Sequence, residues 1–149
     1  MASVTPEIKK ELIKKCLEMK NKAYCPYSNY TVGAALYTDT GKIYQGCNIE
    51  NSSYGACNCA ERTAVFKAIS EGEKKILAIA ITGCKRGDTS EKEEADFAWP
   101  CGICRQVLRE FSSPKELIVI VCSSENKYIE LKLEDLLPHS FGPEHLIES

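Results

Sequence analysis

The sequence predicts an α/β fold around a mixed five-stranded sheet, and three observations carry that reading. Helical and strand-like apolar patterns alternate along the chain. Residues 76 to 122 read strand, helix, strand, and turn-forming residues at 38–41 and 123–126 join adjacent strand-like runs. A strand, helix, strand succession brings its two strands parallel, because the helix must cross over the sheet. A four-residue turn is too short for such a crossover and returns its strand antiparallel.

The elements follow in order. Thr5-Pro6-Glu7 supplies an N-cap, a proline at the first helical position and an early acid, and Ile8, Leu12, Ile13, Cys16 and Leu17 recur at helical spacing. A helix is predicted over about 6 to 22. Tyr24 to Ser28 breaks it, and the runs 32–37 and 43–49 flank Thr38-Asp39-Thr40-Gly41 as a hairpin. A second helix opens at Cys59 and ends near Gly72, with Ala60, Ala64, Val65, Ala68 and Ile69 on one stripe. The apolar run 76–82 has the length of a strand buried on both faces. Residues 85 to 96 are charged and rich in turn formers, which predicts a solvated loop. A helix over 101–111, a buried strand over 117–122 and a returning strand over 127–132 complete the chain.

At 149 residues and 44% hydrophobic, the chain has material for one core, so a single domain over 1–149 is expected. Residues 1–11 hold no apolar signal core, and no apolar run reaches the length of a membrane span. A soluble, cytoplasmic protein with no membrane partner is the expectation. A net charge of −2 argues against a basic groove for a polynucleotide. Nine cysteines, an odd number without a leader segment, argue against a disulfide framework. Cys16, Cys84 and Cys122 fall on apolar faces and are expected in the core, while Cys25 and Cys47 are expected to pack near a pocket.

Cys59-Ala60-Glu61 and Pro100-Cys101-Gly102-Ile103-Cys104 carry the chemistry. Both segments begin predicted helices, whose N-terminal partial positive charge favours thiolate over thiol. Three sulfur ligands, Cys59, Cys101 and Cys104, leave tetrahedral zinc one position for water, the mark of a catalytic site. Glu61, two residues beyond Cys59, can approach that position without binding metal and so act as a proton shuttle. Three thiolates on Zn²⁺ sum to a formal charge of −1. Arg62, three residues after Cys59 and on the same helical side, is the candidate cation to offset it. A rival reading remains open, because Cys57 makes Cys57-x-Cys59 with Cys101-x-x-Cys104 a four-cysteine structural site, the mark of a non-catalytic zinc-binding module.

The combination C-x-E with P-C-x-x-C resembles the signature of zinc-dependent base deaminases in its three-cysteine form. Together with Tyr24-Cys25-Pro26-Tyr27-Ser28, Gly46-Cys47-Asn48-Ile49-Glu50-Asn51 and Ser140-Phe141-Gly142-Pro143, it makes the chain closely similar to the small homotetrameric cytidine deaminases that act on free nucleosides. The resemblance covers nearly the whole chain. It implies a three-layer α/β/α deaminase fold, one Zn²⁺ per subunit on Cys59, Cys101 and Cys104, Glu61 as catalytic shuttle and Arg62 as moderating cation. It also implies Asn48 and Glu50 on the ribose hydroxyls, the Ala60 backbone at the base edge, and Phe141 near a neighbouring subunit's pocket in a homotetramer. Hydrolytic deamination of cytidine and 2′-deoxycytidine is the implied activity; a deaminase of nucleoside-like antibiotics such as blasticidin S is the alternative. Tyr30 stands where relatives often carry the phenylalanine that packs on the base, and Cys57-Asn58 replaces a more usual glycine and aliphatic residue.

Overall fold

Side chains of the three central strands part by parity onto two faces of one sheet. The computed structural model describes residues 2–147. It orders the strands β2-β1-β3-β4-β5, with β1 at Tyr30–Thr38, β2 at Ile43–Cys47, β3 at Ile76–Lys85, β4 at Ile118–Ser124 and β5 at Lys127–Lys132. Only β3 and β4 pair in parallel; every other neighbour is antiparallel. The mixed sheet expected from the sequence is therefore present in full.

One face receives Ala34 and Leu36 of β1, Ile79 and Ile81 of β3, and Val119 and Val121 of β4. These pack against helices α2 (Ala60–Ser70) and α3 (Gly102–Glu110), which contribute Ala64, Val65, Ala68 and Leu108. The other face receives Ala35, Tyr37, Ala78, Ala80, Ile120 and Cys122, covered by Leu12, Ile13 and Cys16 of helix α1 (Pro6–Met19). The strand period of two makes this division, and apolar residues at both parities explain why the strands read as unbroken hydrophobic runs. Helices on both sides give the three-layer arrangement.

Thr5 caps α1 by accepting a hydrogen bond from Ile8 N at 3.2 Å, worth about 1 kcal/mol. Burial of Leu12 and Ile13 contributes about 1.5–3 kcal/mol each. Packing on the sheet, more than the cap, holds the helix in place.

The boundaries differ from expectation at four points. The first helix ends at Met19 and finishes in a 3-10 turn, Lys20–Lys22. Strand β2 stops at Cys47, after which Ile49 bridges both Tyr24 and Asn58. Strand β3 continues to Lys85 because its last residues pair with the start of β1, Tyr30 opposite Lys85. A four-residue helix, α4 (Leu133–Leu136), follows β5. Cys16 and Cys122 are buried as expected, but Cys84 is only half-buried, since it lies where β3 leaves the core.

Candidate active site and metal centre

Two helices begin at the same place. Cys59 precedes α2 with extended backbone (φ −74°, ψ 155°), and Cys101 precedes α3 with nearly the same angles (φ −68°, ψ 168°). Neither side chain caps its own helix, which leaves both sulfurs free to project outward. Cys104, on the first turn of α3, is fully buried beneath them. The three sulfurs lie within 4.8 Å of one another, with Cys59 and Cys101 3.9 Å apart.

Tetrahedral zinc with Zn–S bonds of about 2.3 Å requires sulfurs about 3.8 Å apart, so the donor set fits that ion in number, chemistry and spacing. No other cluster of this kind occurs among the described residues. Cys57 does not join it. Its sulfur accepts from Asn51 N at 3.3 Å and faces Asn51 O at 3.6 Å.

Glu61 is 4% exposed and lines the same cavity as Cys59 and Cys101. Burial pushes its carboxyl up to about 7, and the negative charge of Cys59 adds to the effect. A bound cation acts in the opposite direction, favouring the carboxylate. A hydrogen bond from Cys104 and the guanidinium of Arg62, whose Nη2 donates to Cys59 Sγ at 3.4 Å, pull the Cys59 thiol down to about 5. Cys104 moves upward for the same reason, being the donor of that hydrogen bond in a buried position. Arg62 also keeps one buried nitrogen, Nε, without a partner among the described residues.

The cavity, ≈ 560 Å³ in volume, runs from the sulfurs to Asn48 and Glu50. Backbone bridges set that far end. Ile49 and Asn58 exchange hydrogen bonds of 2.9 and 2.8 Å, and Glu50 N donates to Tyr24 O at 2.8 Å, so residues 24, 49 and 58 lie side by side. Glu50 accepts from Tyr27 N, Ser28 N and Ser28 Oγ, and the Ser28 bonds hold its carboxyl below the usual carboxylate range. Asn48 Nδ2 donates to Tyr30 O at 2.8 Å and its Oδ1 accepts from Val32 N at 2.9 Å. Each atom keeps capacity for one more bond.

The close approach of α2 to β2 depends on Gly46. A Cβ there would lie 2.5 Å from Ala64 N and 2.6 Å from Ala60 O. The ligand segment before α3 is tied from its other side, where Arg105 Nε donates to Pro100 O at 2.7 Å and Nη1 to Leu136 O at 2.7 Å.

The structure thus brings Tyr30, Asn48, Glu50, Cys59, Glu61, Arg62 and Cys101 to one cavity, with Cys104 buried against it. Ala60 is fully buried at the first position of α2. Phe141 is not in this cavity; it is 56% exposed and stacks on His145, its carbonyl accepting from Gln106 Nε2. Cys25 and Cys47 pack with Ala23 away from it. Sequence reasoning did not single out Phe97, Ala98 and Trp99 as cavity walls. A lone tryptophan two residues before Cys101 was the available signal.

Thiols at two helix N-termini beside a buried acid define a metal-binding α/β class of protein. Residues 6–121 match the family described as cytidine and deoxycytidylate deaminase zinc-binding region, and the chain belongs to that family. It is 41% identical to the cytidine deaminase of Sporosarcina psychrophila over 136 residues, covering 91% of this chain and 93% of that protein. It is 42% identical to that of Halalkalibacterium halodurans over 135 residues, with coverages of 91% and 95%. Among solved structures, the cytidine deaminase from Burkholderia pseudomallei superposes with a TM-score of 0.74 at 43% identity, covering 88% of this chain and 97% of that one.

Proposed function

We propose that this protein hydrolyses cytidine and 2′-deoxycytidine to uridine and 2′-deoxyuridine with release of ammonia. The observation that carries the proposal is the convergence of three sulfurs and the buried Glu61 at one end of a cavity whose other end presents Asn48 and Glu50.

Cys59, Cys101 and Cys104 would hold the zinc, which when bound would supply a nucleophile at neutral pH by lowering the pKa of water from about 15.7 to about 7. Glu61 takes a proton from the attacking water and delivers it to N3 of the base as the oxygen bonds to C4; it then carries the remaining hydroxyl proton to the amino group, the C4–N4 bond breaks and ammonia leaves. Glu61 is buried on the wall it shares with Cys59 and Cys101, which keeps its carboxyl beside the reacting groups and out of bulk water. The Ala60 backbone meets the base edge, and the Tyr30 ring packs on the base. Burial keeps the Tyr30 phenol neutral. Glu50, ionised and held by Ser28, accepts from ribose hydroxyls, and Asn48 adds its remaining capacity. A carboxylate at that end repels phosphate, which favours nucleosides over nucleotides and polynucleotides.

The working protein on this reading is a cytoplasmic homotetramer of single-domain subunits, with Phe141 of each reaching a neighbour's cavity. The exposure of Phe141 supports its place at a subunit contact.

Ammonia release from cytidine, measured with zinc content and particle size for wild type and Glu61→Ala, tests the proposal. The variant is expected to keep one zinc per chain and the wild-type size while losing almost all turnover. Near-normal turnover by Glu61→Ala refutes the shuttle, and release from blasticidin S in preference to cytidine refutes the substrate.

A further inference from the structure

We propose that Trp99 is a specificity-determining residue that limits the room beside the reacting edge of the pyrimidine. The inference rests on the deaminase reading above and adds a residue to it.

Trp99 is the chain's single tryptophan. It lies two residues before Cys101 and lines the same cavity, together with Phe97 and Ala98. Three contacts hold it. The indole Nε1 donates to Glu94 O at 3.1 Å, so the polar edge of the ring is spent on the 3-10 turn Glu94–Asp96. Its backbone N donates to Phe97 O at 2.8 Å, and its ring stands 6.4 Å from that of Phe97, which is itself buried in the main core.

The wall extends to Tyr30. A Cβ at Gly83 would lie 2.8 Å from Ala98 Cβ and 3.0 Å from Tyr30 Cε1, so both residues rest on the bare backbone of β3. Tyr30, Ala98, Phe97 and Trp99 therefore form one apolar stretch of the lining of a cavity that Asn48, Glu50 and Glu61 also line. A flat base in the cavity meets aromatic carbon along this stretch, and base–aromatic contacts of this kind contribute measurably to affinity.

C4 must lie toward the sulfurs for the proposed reaction. Trp99 is the large apolar side chain of the lining nearest in sequence to Cys101, and its indole is tied by Nε1 to Glu94 O and packed beside Phe97. Substituents that flank C4, a methyl on C5 or on the departing nitrogen, meet the indole. The charged segment 85–96, whose last turn accepts the indole N–H, thereby acquires a part in substrate choice.

The test uses the zinc-loaded enzyme. In Trp99→Ala the ratio of kcat/KM for 5-methylcytidine or N4-methylcytidine to that for cytidine is expected to rise at least about tenfold, the scale set by one methyl group in an apolar pocket. Trp99→Phe is expected to restore much of the discrimination, and zinc content stays at the wild-type level. In the wild type, adding uridine is expected to change the emission of the single tryptophan saturably. Wild type that releases no ammonia from any nucleoside overturns the functional reading. Wild type that turns over cytidine, with the substrate ratio unchanged in Trp99→Ala or with emission indifferent to saturating uridine, overturns the role of Trp99 alone.

Discussion

Arg62 reaches back over one helical turn so that its Nη2 lies 3.4 Å from the sulfur of Cys59. A guanidinium at that distance stabilises thiolate against thiol and offsets part of the negative charge that three sulfurs bring to a divalent ion. Arg62→Gln keeps a polar side chain and removes the charge. Zinc affinity is expected to fall by about 10–100-fold, the usual cost of losing a partner to a ligand. Competition with a chromophoric chelator measures it, and an unchanged affinity contradicts the charge-balancing role.

Cys57 stands two residues from Cys59, yet its sulfur is engaged with the backbone of Asn51. Cys57→Ser is therefore expected to retain one zinc per chain and to remain folded. Loss of the metal in that variant, read by atomic emission, marks a closed four-sulfur site and removes the basis for catalysis.

Gly46→Ala places a methyl group against the backbone of Ala60 and Ala64. Overpacking of a tight contact costs about 1–3 kcal/mol. Here the backbone that must move belongs to the first turn of α2, so zinc affinity should fall together with melting temperature. A variant with a lower melting temperature and wild-type affinity separates the helix contact from the site.

Arg109 is buried on α3 and pairs with the exposed carboxylate of Glu144, while its Nε donates to Ser140 Oγ at 2.7 Å. The pairing holds Glu144 below its ordinary value of 4.5, chiefly through the hydrogen bond from Arg109. A carboxyl depressed on folding contributes stability that is complete above its ordinary pKa and is lost as pH falls through the lower folded value. Wild type is expected to melt above Glu144→Gln at pH 7, and the two curves to converge in acid below pH 4.5. A gap that persists at low pH assigns the effect to packing rather than charge.

What the sequence made legible was whatever repeats at a fixed period or sits at a fixed spacing. The hairpin, the crossover unit over 76–122 and the returning strand were readable because apolar runs and turn residues mark them locally. Cys59, Glu61, Cys101 and Cys104 were readable because their chemistry is compressed into two short motifs. Helix α4 and the 3-10 turns escaped because three or four residues are too few to show a period. The extension of β3 to Lys85 escaped because it is set by pairing with Tyr30, fifty-five positions away in sequence numbering, rather than by its own composition. Burial of Arg109 escaped too, since a guanidinium is expected at the surface until Glu144 and Ser140 are seen beside it. The aromatic wall at Phe97 to Trp99 lay next to a motif but became visible only once Gly83 and Tyr30 were placed beside it.

The two ligand-bearing helix starts have a further consequence. Cys59 follows the antiparallel hairpin, Cys101 and Cys104 belong to the parallel crossover, and 42 positions separate Cys59 from Cys101. An ion gripping both would be a staple between two halves of the sheet, added to the β1–β3 ladder and to the helices packed across both. By analogy with a covalent cross-link closing a loop of that length, it restricts the unfolded chain by about 4 kcal/mol. Metal, on this account, is a component of folding cooperativity as well as of chemistry, and a chain stripped of it should come apart in less concerted fashion.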